Sequence, residues 1–362
     1  MKKILKIIAV VILVAAIGTG GFVVYKNSQG ISYDFSAVTK LESDVEIIKE
    51  DADSVTIQKN GDGDFKVLMF TDTHLNGKKE KDIQTVSYMV KNITEQKPDL
   101  VIFGGDNVSS GFNKKRTTEF AALMENLGVY WAAVLGNHEG EGVLAVSREE
   151  NVEIFSSFDH CLMRKGNDGV DGSGNYSINI LGSDGKIKEV FFLMDSGSYM
   201  TDESKAEYGV TKDGEVYDGV KASQVNWYKE KHDEIEAEYG KFKSVTVVHI
   251  PPYQAEKEYA EEDFLYGEKR EGVCESGFDS GLFDAMEEKG SSQAVYFGHD
   301  HVNDFGTMHG NILFSYIQPS GYGVYNMETK FDSPENEWIQ GCTLLNIQAD
   351  GTCVAERIYN HK

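Results

Sequence analysis

Cysteine is sparse in this chain of 362 residues: Cys161, Cys274, Cys342 and Cys353 stand far apart and form no CxxC pair. That excludes a zinc knuckle and a dithiol redox motif, and leaves at most two disulfides, whose pairing spacing alone does not define. Proline is scarce too, with five in the chain, and no Pro/Ser-rich linker or internal repeat divides it. The chain therefore reads as one large domain behind an N-terminal segment. Basic residues are outnumbered, 35 Lys and Arg against 59 Asp and Glu, for a formal charge of −24. Setting aside residues 1–30, whose four lysines (Lys2, Lys3, Lys6 and Lys26) meet no acid, takes −24 to −28. Charge of that sign opposes a sequence-independent grip on nucleic-acid backbone or anionic lipid, so no nucleic-acid polymer is expected as a partner.

Charge of either sign is missing from Ile7 to Tyr25, a run of 19 residues preceded by Lys2, Lys3 and Lys6. Such a run approaches the ~20 apolar residues that cross a bilayer. Residues 1–30 are expected to be a signal-anchor, or a signal peptide if cleavage follows the weak candidate Ala16-Ile17-Gly18; a buried core helix is the third reading. The lysines keep their end cytoplasmic. The rest is then exported, held at the cell surface by the N-terminal helix or secreted if cleaved, and it touches membrane through this segment only. Gly18-Thr19-Gly20-Gly21 resembles a phosphate loop, but no strand-loop-helix unit surrounds it, and small-residue packing in the anchor accounts for it. Residues 31–64 read as a linker with edge strands, Val45 to Ile48 and Val55 to Gln58, and residues 65–362 as the body of the fold.

Five short blocks carry the chemistry: Asp72-Thr73-His74, Gly105-Asp106, Gly136-Asn137-His138-Glu139, His249, and Gly298-His299-Asp300-His301. Each follows a short apolar run: Phe65 to Phe70, Leu100 to Phe103, Trp131 to Leu135, Ser244 to Val248, and Ala294 to Phe297. Buried strands of an α/β sheet read this way, and the carboxyl ends of such strands are where these sheets build sites. Ile83, Val86, Met89, Val90 and Ile93 recur at helical spacing before Pro98, and Phe120, Leu123, Met124 and Leu127 repeat the pattern, giving βαβαβ order. Tyr176 to Leu181 and Val190 to Met194 read as strands and Ala222 to Glu238 as a helix. Ile312 to Ile317, Thr343 to Ile347 and Val354 to Ile358 read as antiparallel strands, with a turn at Asp350-Gly351. The expected fold class is α/β: two packed mixed sheets with helices outside.

The blocks supply seven neutral or anionic donors of oxygen or imidazole type. That set suits two divalent ions, with Mn, Fe or Zn fitting the ligand chemistry, and paired metals perform phosphoryl chemistry. Two carboxylates and an attacking hydroxide bring about −3 against +4 from two divalent ions, a locally positive hole that attracts a phosphate dianion.

In this order the blocks resemble the calcineurin-like metallophosphoesterase superfamily, over roughly Phe65 to Val324. The resemblance implies a four-layer αββα sandwich and makes residues 65–362 the metallophosphoesterase domain. It also implies that Asp72, His74 and His301 hold one ion, that Asn137, His249 and His299 hold the other, that Asp106 bridges them, and that His138 acts in catalysis without ligating. Met194-Asp195-Ser196-Gly197, Lys221 to Trp227, His249-Ile250-Pro251-Pro252 and Gly298 to Phe305 are similar to the purple-acid-phosphatase-29 type within that superfamily. True purple enzymes carry a ligating tyrosine three residues after the bridging aspartate. Ser109 stands there in this chain, against a tyrosinate-bound ferric ion.

Other residues have plainer readings. His232 shares a helical face with Val225, Tyr228 and Ile235 and reads as a packed histidine; His160, His309 and His361 have no motif around them. Asp195 either shapes the site or caps a turn, and Asp300 and Asp304 either orient His299 and His301 or satisfy loop amides. Tyr253, Tyr266 and Tyr322 are candidates for a pocket roof, and Glu256 to Asp263 is a solvated acidic face or a lid. The function expected is hydrolysis of phosphate monoesters, small-molecule or protein, by in-line attack of a metal-bound hydroxide with no covalent intermediate. The rivals are a phosphodiesterase or nucleotidase on the same metal core, and a surface-anchored protein that binds without catalysis.

Overall fold

A computed structural model describes residues 29–31, 33–255 and 264–361. The expected anchor and the acidic stretch Glu256 to Asp263 lie outside the described residues. Among those described, no helix is long and apolar enough to cross a membrane.

In chain order, β1 (Val45–Glu50) and β2 (Ser54–Lys59) come first. Then β3 (Phe65–Phe70), β4 (Leu100–Phe103) and β5 (Tyr130–Ala133) alternate with helices α1 (Lys79–Gln96) and α2 (Lys114–Leu127). After α3 (Arg148–Ser156) follow β6 (Tyr176–Leu181), β7 (Ile187–Leu193), α4 (Asp202–Glu207), α5 (Ala222–Tyr239) and β8 (Ser244–Val247). The chain ends with β9 (Phe264–Tyr266), α6 (Leu282–Lys289), β10 (Ser292–Phe297), β11 (Gly306–His309), β12 (Ile312–Tyr316), α7 (Met327–Phe331), β13 (Gly341–Ile347) and β14 (Cys353–Tyr359). One sheet runs β1-β2-β6-β7-β8-β10-β12-β11-β9 and the other β14-β13-β3-β4-β5.

Both sheets are mixed, and each contains a parallel run: β3, β4 and β5 at one side of the smaller sheet, β7, β8, β10 and β12 within the larger. Side chains of a strand alternate between faces, and here the alternation separates two cores. Phe191, Leu193, Ala294 and Tyr296 join Val67, Met69 and Leu345 between the sheets, whereas Val190, Phe192, Val295 and Phe297 pack outward on Trp227 and Tyr228 of α5 and Phe283 and Met286 of α6. On the opposite outer face, Val86, Met89 and Ile93 of α1 and Phe120, Leu123, Met124 and Leu127 of α2 are buried as their spacing predicts. Phe120 meets Phe103 edge-on at 4.8 Å between centroids. The result is helices, sheet, sheet, helices.

Helix α1 ends at Lys97, left-handed (φ 48°) before Pro98, and α2 at Gly128 (φ 69°), whose N–H returns to the carbonyls of Met124 and Glu125. The hairpin β1–β2 lies at a sheet edge, as its sequence suggests, with β2 also parallel to β6. One expectation fails: the strand at Ile312 runs parallel to β10 and is antiparallel only to β11, because Gly306–His309 supplies an extra strand that turns the chain back first. Strands β13 and β14 are antiparallel, as expected. All four cysteines are free thiols.

Candidate metal centre

Parallel strands that end together leave their following loops on one edge, and the five blocks sit there. Asp72 follows β3, Asp106 follows β4 and Asn137 follows β5, while His249 and His299 follow β8 and β10 of the other sheet. Reaching the common point bends the backbone into the left-handed region at Asp72 (φ 54°), His74 (42°), Asp106 (51°) and His299 (78°). Each costs about 1–3 kcal/mol for a residue with a Cβ, and such strain gathers where a site over-determines the chain. Gly105, at φ 99°, lies so close to the His249 ring that a Cβ would overlap its Nδ1. The motif glycine there is a spacing requirement.

The side chains converge. Asp106 Oδ2 is 3.2 Å from both His74 Nε2 and His249 Nε2; Asp72 Oδ1 is 3.4 Å from His301 Nε2 and 3.8 Å from His74 Nε2. Asn137 Oδ1 lies 3.2 Å from His249 Nε2. Two sets could each hold a cation, Asp72, His74, Asp106 and His301 in one and Asp106, His249 and His299 in the other, with Asp106 common to both. The structure thus assembles all seven sequence-derived ligand candidates, and Asp106 stands in the middle.

A metal pair fits what the residues leave undone. His249 faces the Gly104 carbonyl through Nδ1 at 2.8 Å and His301 faces that of Tyr325 at 3.2 Å, which places the ring proton on Nδ1 and turns the Nε2 lone pair inward. Those lone pairs then point at carboxylates. Asp106 Oδ2 and His299 Nε2 are buried with no hydrogen-bond partner.

Without metal, protons must fill the gaps, and they do so unequally. Burial opposes charge on His249, yet the Asp106 and Asp72 carboxylates outweigh it and raise the imidazole to about 10. His301 is also raised: burial is overcome by Asp72. His299 is pushed down to about 3 by burial and by the His249 charge. Burial would raise Asp72, but His301 and His249 hold it at about 2, and His249 and His74 hold Asp106 well below the carboxylate range.

Two supporting residues, Glu139 and Arg148, escaped the sequence reading. Glu139 is buried and accepts the N–H groups of Gly136 (2.8 Å), Asp106 (3.1 Å) and Asn107, tying the loop after β5 to the loop after β4. Burial and the Asp106 carboxylate push Glu139 up to about 7. Arg148 pairs with Asp195 and donates to the Gly136 carbonyl at 2.5 Å. Asp195 also accepts from Ser173 N and Gly197 N, so it both shapes the site and caps a turn. Glu139 stood inside a quoted block; only its three-way contact distinguishes it.

Asp300 and Asp304 do not orient the histidines. Asp300 accepts from Tyr316 Oη and Cys274 N, and Asp304 from Glu268 N, Arg270 and Tyr359 Oη; backbone carbonyls orient His249 and His301 instead. Tyr266 is turned to Ser315 and Tyr322 is buried against Trp338. The aromatics at the centre are Tyr217, edge-on to His299 at 4.3 Å, and Tyr325, stacked on His301 at 4.3 Å. His232 is buried beside Phe242; its acidic neighbours Asp233 and Glu236 already pair with Lys289 and Lys241.

Two facing sheets, with an acidic and imidazole-lined pocket at their strand ends, define a scaffold for a dinuclear metal site. The family model for calcineurin-like phosphoesterases matches residues 65–303, and the chain belongs to that family. It is 31% identical over 304 residues to a protein of Arabidopsis thaliana named "Probable inactive purple acid phosphatase 14", spanning 74% of this chain and 73% of that one. It is 28% identical over 277 residues to the same plant's "Probable inactive purple acid phosphatase 29", spanning 67% and 68%. Among solved structures, a dimetal phosphatase from Danio rerio shares the fold at a TM-score of 0.52 and 11% identity, covering 82% of this chain and 99% of that one.

Both Glu139 carboxylate oxygens accept backbone N–H groups, so the isosteric Glu139→Gln change must set an amide NH2 against a donor. It is expected to weaken metal affinity about 10–100-fold, the usual scale for partners that orient ligands. Competition with a metallochromic chelator measures this, and unchanged affinity would remove Glu139 from the support of the centre.

Ligating imidazoles must be neutral, whereas His249 in the metal-free fold keeps its proton up to about 10. In that metal-free form the stabilisation from protonated His249 is complete below its unfolded value near 6.5 and disappears as pH rises through about 10. Metal uptake at pH 7.5 should therefore release protons, with apparent affinity rising about tenfold per pH unit for each proton displaced. Calorimetry in two buffers of different ionisation enthalpy counts them; a count of zero contradicts the assignment of His249.

Proposed function

We propose that the chain hydrolyses phosphate monoesters at this centre, with Asp72, His74 and His301 holding one ion, Asn137, His249 and His299 the other, and Asp106 between them. The observation that carries the reading is the convergence of six side chains into two clusters that could each hold a cation and share the Asp106 carboxylate, with the seventh, Asn137, against His249. Divalent ions bound there supply Lewis acidity toward a phosphoryl oxygen and an acidified water for in-line attack. The chain's own part is to position and to move a proton.

His138 is suited to the second task. Its backbone N–H donates to Asp106 Oδ1 at 2.8 Å, fixing the residue beside the centre, while its ring is 36% exposed and open to substrate. Glu141 sits 2.5 Å from Nδ1 and holds that nitrogen as donor, leaving Nε2, 4.0 Å from Asp106 Oδ2, to deliver a proton to the departing oxygen. Every other imidazole of the centre is buried. Ser109, buried on the loop after Asp106, brings no phenolate. The relatives named inactive lend support to a second reading, a metal-loaded binding protein without turnover.

Turnover of generic mono- and diester substrates with added Mn²⁺ separates the readings; the monoester should be preferred, and turnover of neither would favour the binding protein. His138→Gln is expected to lower kcat about 10²–10⁴-fold with both metals retained. Asp106→Asn should lose one or both ions. Metal content and kcat measured together decide the roles: loss of metal in the His138 variant, or full turnover of a poor leaving group, contradicts them.

A further inference from the structure

Residues 197–218 double back beside the centre as a short antiparallel ribbon. Asp218 N donates to Ser198 O at 3.0 Å, Met200 N donates to Val216 O at 2.9 Å, and Tyr199 lies directly opposite Tyr217. Directly opposed residues share a face and their sequence neighbours take the other. Met200 and Val216 are accordingly buried with Phe278 in a small core of their own, which anchors the ribbon from behind. On the front, Tyr199 and Tyr217 stack with centroids 5.2 Å apart and planes within 25°.

This pair bridges two candidate ligands of the centre, His299 and Asn137. At one end Tyr217 stands edge-on to His299, centroids 4.3 Å apart and planes at 87°. At the other, Ser198 Oγ donates to the Asn137 carbonyl at 2.9 Å, and the Tyr199 hydroxyl lies beside the Asn137 side chain. Glu141, the partner of His138, is close enough to act on that hydroxyl, as is Glu215. The tyrosines are half-buried, held in place yet open on one side. The ledge thus runs from a candidate metal ligand to the corner that carries the proton donor, where a leaving group must lie.

We propose that Tyr199 and Tyr217 seat an aromatic ring of the leaving group, so that aryl phosphate monoesters are the preferred substrate class. The proposal rests on the phosphomonoesterase reading above. The charges that act on Tyr199 are the carboxylates Glu141 and Glu215, and Asp300 acts on Tyr217, so the ring that fits is neutral or cationic and polyanionic leaving groups are disfavoured.

The test compares kcat/KM for 2-naphthyl and phenyl phosphate in the Mn²⁺-loaded chain, since the two leaving groups have similar acidity and the ratio reports ring area. The wild type should favour the naphthyl ester about two- to tenfold, the scale of one aromatic stacking contact. Tyr199→Leu should bring the ratio close to one while Tyr199→Phe preserves it, and any general loss of rate divides out. A ratio near one in the wild type, or an unaltered ratio in Tyr199→Leu, overturns the ledge. Turnover of neither ester sinks the phosphomonoesterase reading, and the ledge is then decided by calorimetry with 2-naphthylmethylphosphonate and methylphosphonate. Tighter binding of the aromatic phosphonate, lost in Tyr199→Leu and kept in Tyr199→Phe, sustains the proposal; equal binding, or none, overturns it.

Discussion

Acceptor atoms crowded together out of solvent set the terms for the rest of this structure. Two carboxylates and the inward lone pairs of several imidazoles lie within 4.8 Å of one another in two sets that share Asp106. Burying even one unpaired ion costs several kcal/mol, so such a cluster persists only when cations fill it. Protons can do so, but each satisfies one contact, and His249 and His301 take them while His299 is refused. A divalent ion satisfies several acceptors at once, and for that reason donor chemistry and unpartnered atoms point to the same occupant.

Holding that crowd together requires backbone that would not choose its own conformation. Asp72, His74, Asp106 and His299 all sit at positive φ, and loops carrying them would relax if left to themselves. They are not. Glu139 gathers three backbone donors from two loops, and the Arg148–Asp195 pair grips the Gly136 carbonyl from behind. Glu139 and Asp195 are themselves buried, so each is stable only while its partners stay in place. Rigidity at the ligands therefore comes from a second layer of ionic contacts, supported in turn by the aromatic packing of Phe103, Phe120 and Trp131 under the strand ends.

The division between what the sequence reveals and what it hides follows the range of the interactions. Strand ends and helix faces depend on local periodicity, and Phe65–Phe70, Leu100–Phe103 and the buried stripe of α1 appear where their patterns place them. The ligand candidates were legible because each lies within a few residues of such a strand. The direction of β12 was not, since it depends on β11, whose four residues carry little pattern. Glu139 and Arg148 are ordinary charged residues until the fold brings them to the Gly136 turn. The tyrosines are hidden for the same reason: Tyr266 closes the three-residue strand β9 and Tyr322, Tyr217 and Tyr325 lie outside the named strands, and only tertiary contact shows which of them meet the histidines.

The candidate metal cage and the proposed proton carrier are built from different parts, and this bears on relatives whose names call them inactive. The cage uses buried side chains from both sheets, locked by strain and by Glu139. His138 and Glu141 flank the buried Glu139 on the turn after β5, with their own side chains half-exposed and paired to each other. On the proposed roles, changes confined to the His138 and Glu141 side chains would alter proton delivery and leave the buried candidate ligands in place, and changes at the Tyr199 and Tyr217 rings would alter what reaches them. Ion binding, hydrolysis and substrate choice are thus separable in this fold. The seven candidate ligands bear on the first, the His138–Glu141 pair on the second, and the ribbon on the third.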